Sequence, residues 1–268
     1  MPSKPIAFLK KDFLNESSYK LAFLFNIFGV FTSILGYFFI DLMFGKKITP
    51  YLETFGVNYF AYVLLGMAFF SYAGSGLGSF SSRIRMEQTQ GTLENILLTP
   101  TSISTILFSI GLWNLVVATL DMAVYIALGI FIFKINFTNL NIISTVVILI
   151  LTITSFSGLG ILSASFILLF KRGNPLEWLI STLEGLLGGV YFPITVLPGW
   201  LQVLANFLPI TYAIRAIQLA VYRGYSVFQL SREIIFLSLF SIILIPLSFM
   251  FFNYALRRVK KDGTLGQY

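Results

Sequence analysis

The chain has 268 residues, 57% of them hydrophobic and 11% charged, whereas soluble domains are about 45–50% apolar and about a quarter charged. That composition excludes a soluble enzyme, a disordered chain and a nucleic-acid module. With no cysteine and no histidine, it also excludes disulfides, thiolate metal sites and imidazole catalysis, and a net charge of +7 points to basic anchors at a membrane.

Residues 1–19 are not a cleavable signal, because Lys4, Lys10, Lys11, Asp12 and Glu16 interrupt any apolar core. Ile6, Leu9 and Phe13 share one helical face, with Lys11, Asp12 and Asn15 opposite. An amphipathic helix on the membrane surface is expected. A hydrocarbon core about 30 Å thick needs roughly 20 apolar residues of helix. Residues 21–43 qualify, with Gly29 and Gly36 inside and Asp41 at the far end. Residues 57–80 carry no charge, 103–133 carry only Asp121, 142–170 carry none, and 234–256 make the last clear span.

If the N-terminus is cytoplasmic, twelve Lys and Arg fall on that side and six on the other, out of 18. Both termini then share the basic side, and the number of crossings is even. Residues 178–192 supply the missing crossing, about 22 Å of helix, which stops within the outer leaflet. Residues 193–222, punctuated by Pro193, Pro198-Gly199 and Pro209, are expected as short re-entrant or interfacial helices closing the outer exit. Two tightly paired short helices without a special role are the alternative. The expected fold is therefore one all-α membrane domain over 1–268. It has six transmembrane helices, an N-terminal interfacial helix and outer re-entrant helices.

No G-x-x-x-x-G-K-[ST] occurs, so this chain has no P-loop for ATP. Gly45-Lys46 lacks the upstream glycine, and Ser155-Phe-Ser157-Gly158 has no histidine to act as base. No carboxylates stand at metal-site spacing, so neither an enzyme activity nor a metal is expected.

The loop 83–100 is the informative segment. Gly91 permits a sharp turn, Thr92 suits an N-cap, and Glu94 falls in the first turn of the helix that follows. Leu93, Ile96 and Leu97 form one apolar face, and Thr99-Pro100 ends the helix. Two readings stand: a flat helix that docks a peripheral partner, or a plain interfacial loop. Inside the membrane, Asp121 and Glu184 are the ionisable candidates, against a merely hydrogen-bonded structural role. Arg215 is a counter-ion for Glu184 only if its segment folds back. Gly74-x-x-x-Gly78, with Ser71, Ser75 and Ser79, reads as a close-packing face, as do Ser155, Gly158 and Ser163. Trp178, Tyr191 and Trp200 read as interface anchors.

The run Glu87-x-x-x-Gly91-Thr92-Leu93-Glu94-x-x-Leu97-x-Thr99-Pro100-x-Ser102 resembles the cytoplasmic-loop signature of ABC-2-type exporter permeases, the membrane subunits of ATP-binding-cassette exporters. Phe207-Leu208-Pro209-Ile210-Thr211-Tyr212, with Arg215 one turn on, is similar to the segment ahead of that family's last helix, with Leu208 where the family has Asn. The Gly-Thr-Leu-Glu version resembles the drug-resistance and nodulation-factor branch. The resemblance implies a half-transporter, paired with a second permease subunit (a likeness that favours a homodimer) and two separate ATPase subunits that bind Mg-ATP. This chain itself would hold no cofactor, and lipid rather than nucleic acid would surround it. Glu87, Gly91, Thr92, Leu93, Glu94 and Leu97 match the coupling motif. Pro193, Pro198, Pro209, Tyr212 and Arg215 would belong to the outer gate. The implied activity is export of a lipophilic or amphipathic molecule across the inner membrane of a prokaryote. A lipid-linked polysaccharide or teichoic-acid precursor is the alternative cargo. A passive channel or scaffold without an ATPase is the alternative of another class.

Overall fold

Backbone polar groups in lipid must be satisfied within the chain, and helices do so segment by segment. A computed structural model describes residues 9–10, 12–14, 20–98, 101–137, 139–170 and 174–262, and no strand occurs among them. The long helices are α1 (Lys20–Ile48), α2 (Tyr59–Thr89), α4 (Ile103–Phe131), α5 (Ile142–Phe170) and α9 (Ser231–Lys261). Between them lie the short α3 (Leu93–Leu98), α6 (Pro175–Leu187), α7 (Gly199–Ala205) and α8 (Pro209–Tyr222). Five helices are long and apolar enough to cross a membrane, or six if α7 and α8 count as one broken span. The chain is an all-α membrane protein.

Local chemistry sets the ends. Asn58 caps α2 by accepting from the Ala61 amide at 3.1 Å, and Ser102 caps α4 through the Thr105 amide at 3.2 Å. Lys46 and Lys47 occupy the last turn of α1, where cations suit the helix dipole. Three helices outrun their hydropathy, α1, α2 and α9. α1 continues to Ile48 rather than 43, and α2 to Thr89 rather than 80. Arg83 and Glu87, four apart on α2, pair at 3.2 Å and carry the helix past the apolar stretch. The first part of the expected loop 83–100 is thus helix. α4 stops at Phe131, short of 133, and α9 exceeds 234–256 at both ends.

α2 is the central helix, buried along most of its length. Its closest neighbour is α5: a Cβ on Gly160 would stand 2.4 Å from the Gly76 carbonyl oxygen. α5 also meets α9, where Gly158 faces Leu244 and the Ser155 and Ser241 hydroxyls lie 2.7 Å apart. These contacts agree with the packing roles of Ser155 and Gly158. Gly74 departs from its expected role, since nothing lies within 4 Å of its Cβ position, and Gly78 faces Glu177 instead. The tight crossing uses Gly76, one face round from the small-residue pair. By contrast α1 leaves most of its apolar surface outward, holding α2 through Phe38 and Phe60 (5.3 Å between rings).

α6 has 13 residues and begins at Pro175, three before the expected 178, and ends at Leu187 rather than 192. At 1.5 Å per residue it is about 20 Å long, and it runs antiparallel to α2. Its first turn meets Ser81, and the chain just beyond its end meets Gly66. It therefore runs beside about half the length of α2. Beyond it, α7 and α8 meet at 89°. The short helices expected over 193–222 are present as α7 and α8, and α8 is enclosed by protein rather than laid on a surface, with thirteen of its 14 residues buried. Its apolar side chains join the core, and its polar face is bonded within the chain: Thr211 donates to the Ala205 carbonyl at 2.7 Å and Gln218 to the Tyr62 carbonyl at 3.4 Å. α8 lies across one end of the bundle, called here the cap end. Tyr222 donates to the Ala61 carbonyl at 2.6 Å, the Asn141 amide donates to the Ala220 carbonyl at 3.0 Å, and Tyr212 stacks on Phe236. The opposite end, where α2 gives way to α3, is the loop end.

Candidate functional site

At the loop end, Gly91 makes the turn between α2 and α3 with a φ of +67°, a conformation open to glycine and costly for side chains with a Cβ. The Thr92 amide donates to the Glu87 carbonyl at 3.0 Å, and the Thr92 hydroxyl donates to the Glu87 carboxylate. The hydroxyl expected to cap α3 is therefore turned back to α2. Leu93 is 3% exposed and packs with Phe80, Ile84, Leu107, Leu168 and Phe252, so α3 is pinned to protein rather than laid on lipid. Glu94 points outward and is exposed. The side chain of Leu97, and Thr99 and Pro100, lie outside the described residues.

Glu87 is 5% exposed and pairs with Arg83. Arg83 also binds Asp12 at 2.8 Å, and Asp12 is 4% exposed. A charged chain, Asp12–Arg83–Glu87–Thr92, thus ties the N-terminal segment to α2 and to the turn before α3. This corrects the expected solvent-facing position of Asp12. Lys11 and Asn15, its expected companions, lie outside the described residues, as do 1–8 and 15–19. Arg83 and Asp12 escape a motif search. The four-residue spacing of Arg83 and Glu87 is the signal that was available for one half of the chain.

A second polar knot stands at the foot of α6. Asn174 caps the helix through the Glu177 amide at 3.3 Å and binds Ser163 at 2.6 Å. Ser81 donates to Glu177 at 2.5 Å. Ser163 of α5 therefore holds α6 rather than serving only close helix packing. Asn174 before Pro175, with Glu177 in the first turn, was the legible sign of this start.

The outer candidates separate. Pro193 is buried, Pro198 is exposed at the start of α7, and Pro209 opens α8 from within the core. The Tyr212 hydroxyl donates to the Asn206 carbonyl at 3.0 Å. Arg215 is the exposed residue of α8 and pairs with Glu233 of α9 at 3.3 Å. It is not the counter-ion of Glu184. Glu184 is enclosed at 1% exposure, and its Oε1 has no hydrogen-bond partner. Asp121 accepts from Asn26 at 3.3 Å, linking α4 to α1. Trp178 and Trp200 are exposed as anchors would be, while Tyr191 stacks on Tyr37 at 5.5 Å.

The family model described as the ABC-2 type transporter matches residues 6–222. The chain belongs to that family. The ABC-2 permease is thus a membrane subunit of an ABC transporter, and membership implies association with an ABC ATPase. No curated protein matches the chain. The matched region takes in the Asp12–Thr92 network, α6 and α8, and stops before α9.

Proposed function

We propose that the chain is the permease half of an ATP-driven exporter in a prokaryotic inner membrane. Its loop end and both termini face the cytoplasm. Two copies pair with two ATPase subunits, which bind Mg-ATP, and the cargo is a lipophilic or amphipathic molecule of the kind moved by the drug-resistance branch. The reading rests above all on the Asp12–Arg83–Glu87–Thr92 chain. It makes α3 and the N-terminal segment one rigid piece with α2, so a push on α3 moves the central helix rather than a loose loop. Exposed Glu94 is the contact to the ATPase, and buried Glu87 is the internal brace.

The test is co-expression with the ATPase and assay in vesicles. Glu94→Ala should leave insertion intact and lower both substrate-stimulated ATP hydrolysis and transport about tenfold. Full transport by Glu94→Ala would remove α3 from the transmission path.

A further inference from the structure

We propose that the cavity between α2 and α4 is a binding site for an uncharged amphiphile whose polar part carries hydroxyl groups. The inference goes beyond the exporter reading and does not depend on it. The cavity has a volume of about 280 Å³. Ser75, Ser79 and Ser82 line one wall from α2, and Trp113, Asn114 and Val117 line the other from α4. The three serines stand at i, i+4 and i+7, one stripe of a helix. Spacing alone offers Ser75 and Ser79 as part of a close-packing face, but in the fold they border open volume.

The hydrogen-bond capacity of the walls sets the chemistry of the occupant. Ser75 donates to the Ser71 carbonyl at 3.1 Å, Ser82 to the Gly78 carbonyl at 2.7 Å, and Ser79 to the Ser75 carbonyl. Each hydroxyl has thus committed its one hydrogen, and what it offers the cavity is acceptor lone pairs. Asn114 is the converse. It is 7% exposed, and its Nδ2 has no hydrogen-bond partner. A buried donor left unpaired is costly, and an acceptor placed in the cavity removes that cost. The occupant therefore gives hydrogens to one wall and accepts one from the other, and hydroxyl groups do both. Charge is closed off at the loop end, where Asp12 and Arg83 border the cavity and hold each other at 2.8 Å. An anionic head would meet Asp12 there, and a cationic head Arg83. Trp113 and Val117 supply an apolar side, and Leu120, three residues past Val117 on the same face, is exposed for an alkyl chain. A pocket for water needs polar partners and no such apolar wall.

The site carries its own reporter. The chain has three tryptophans, and Trp178 and Trp200 are exposed, so Trp178→Phe with Trp200→Phe leaves Trp113 alone to fluoresce from the cavity. The full chain is reconstituted in phosphatidylcholine vesicles and titrated with 1-decanoylglycerol, with decyltrimethylammonium and decyl sulfate as charged references of matching chain length. 1-Decanoylglycerol should shield Trp113 from acrylamide saturably, and neither charged amphiphile should do so at equal loading of the membrane. Equal shielding by a charged amphiphile overturns the proposal. Shielding that never saturates or never appears, the result for a cavity holding water alone, overturns it too. Neither reading needs a change in the cavity itself. Asn114→Leu should lower the affinity for 1-decanoylglycerol about tenfold, the worth of one buried hydrogen bond, and Asn114→Ser, which restores a donor, should recover part of the loss. Unchanged affinity in Asn114→Leu also overturns the site. Monooleoylglycerol built into the vesicles separates the sources of the head. Competition with 1-decanoylglycerol supports a membrane lipid as occupant, and undiminished binding supports a soluble amphiphile. None of these measurements needs an ATPase, so failure of the exporter reading leaves the site standing.

Discussion

Arg83 holds two buried carboxylates, Asp12 and Glu87, and neither can be left alone without cost. Removing one member of a buried ion pair typically costs about 3–5 kcal/mol, because the remaining charge stays desolvated. Arg83→Met should therefore lower the unfolding temperature of the purified permease sharply. The triple variant Arg83→Met, Asp12→Asn, Glu87→Gln should recover most of the loss, since no charge is then stranded. Failure of the triple variant to recover would mean that the network acts by shape rather than by charge. Gly91 supports a second expectation at this scale. Its left-handed backbone costs about 1–2 kcal/mol for a residue with a Cβ, less for Asn, and nothing lies within 4 Å of the Cβ position. Gly91→Asn should keep stimulated ATP hydrolysis, whereas Gly91→Val should lower it. Equal activity in both would show that the turn is not held in this form during the cycle.

Helix pairs, the next scale up, divide the glycines by what they touch. Gly160 sits where α5 meets the backbone of α2, and Gly158 where it meets α9. Any side chain at Gly160 must push two helices apart, because backbone cannot yield as a side chain does. Gly160→Leu should abolish accumulation of folded protein, read as loss of the monodisperse peak in detergent. Gly74→Ala and Gly36→Ala meet open space and should leave that peak unchanged. A folded Gly160→Leu protein would contradict the close crossing. The same comparison explains why the small-residue motif at Gly74 and Gly78 named the right helix and the wrong face. Spacing reports which residues share a stripe, and only the neighbouring helix decides which stripe is used.

For the whole molecule, the arrangement follows from one end carrying charge networks and the other carrying α8. The proposed orientation puts the charged end in the cytoplasm, as the excess of Lys and Arg there requires. The chain has no cysteine, so introduced cysteines can be read singly. Those replacing Lys10, Arg85 and Lys261 should resist an impermeant thiol reagent in intact cells, and one replacing Glu53 should react. Labelling at Arg85 from outside would invert the model.

Much of this was legible without coordinates. Continuous apolar runs cannot remain unfolded or in water, so the membrane class, the five long helices and the start of α3 after Gly91 were set by composition and local pattern. The enclosure of α8 was not, since the prolines before it suggested re-entrant or interfacial helices and its own residues do not say how much protein covers it. What the order of residues could not reveal is which distant groups meet. Asp12 finds Arg83 across 71 positions, Arg215 takes Glu233, and the Oε1 of Glu184 is left without a hydrogen-bond partner. Those outcomes depend on how α2, α5, α6 and α8 pack, and packing is a property of surfaces brought together, not of any one helix. The tertiary structure alone decided that the two intramembrane carboxylates have different fates, Asp121 bonded to Asn26 and Glu184 enclosed with its Oε1 unpartnered.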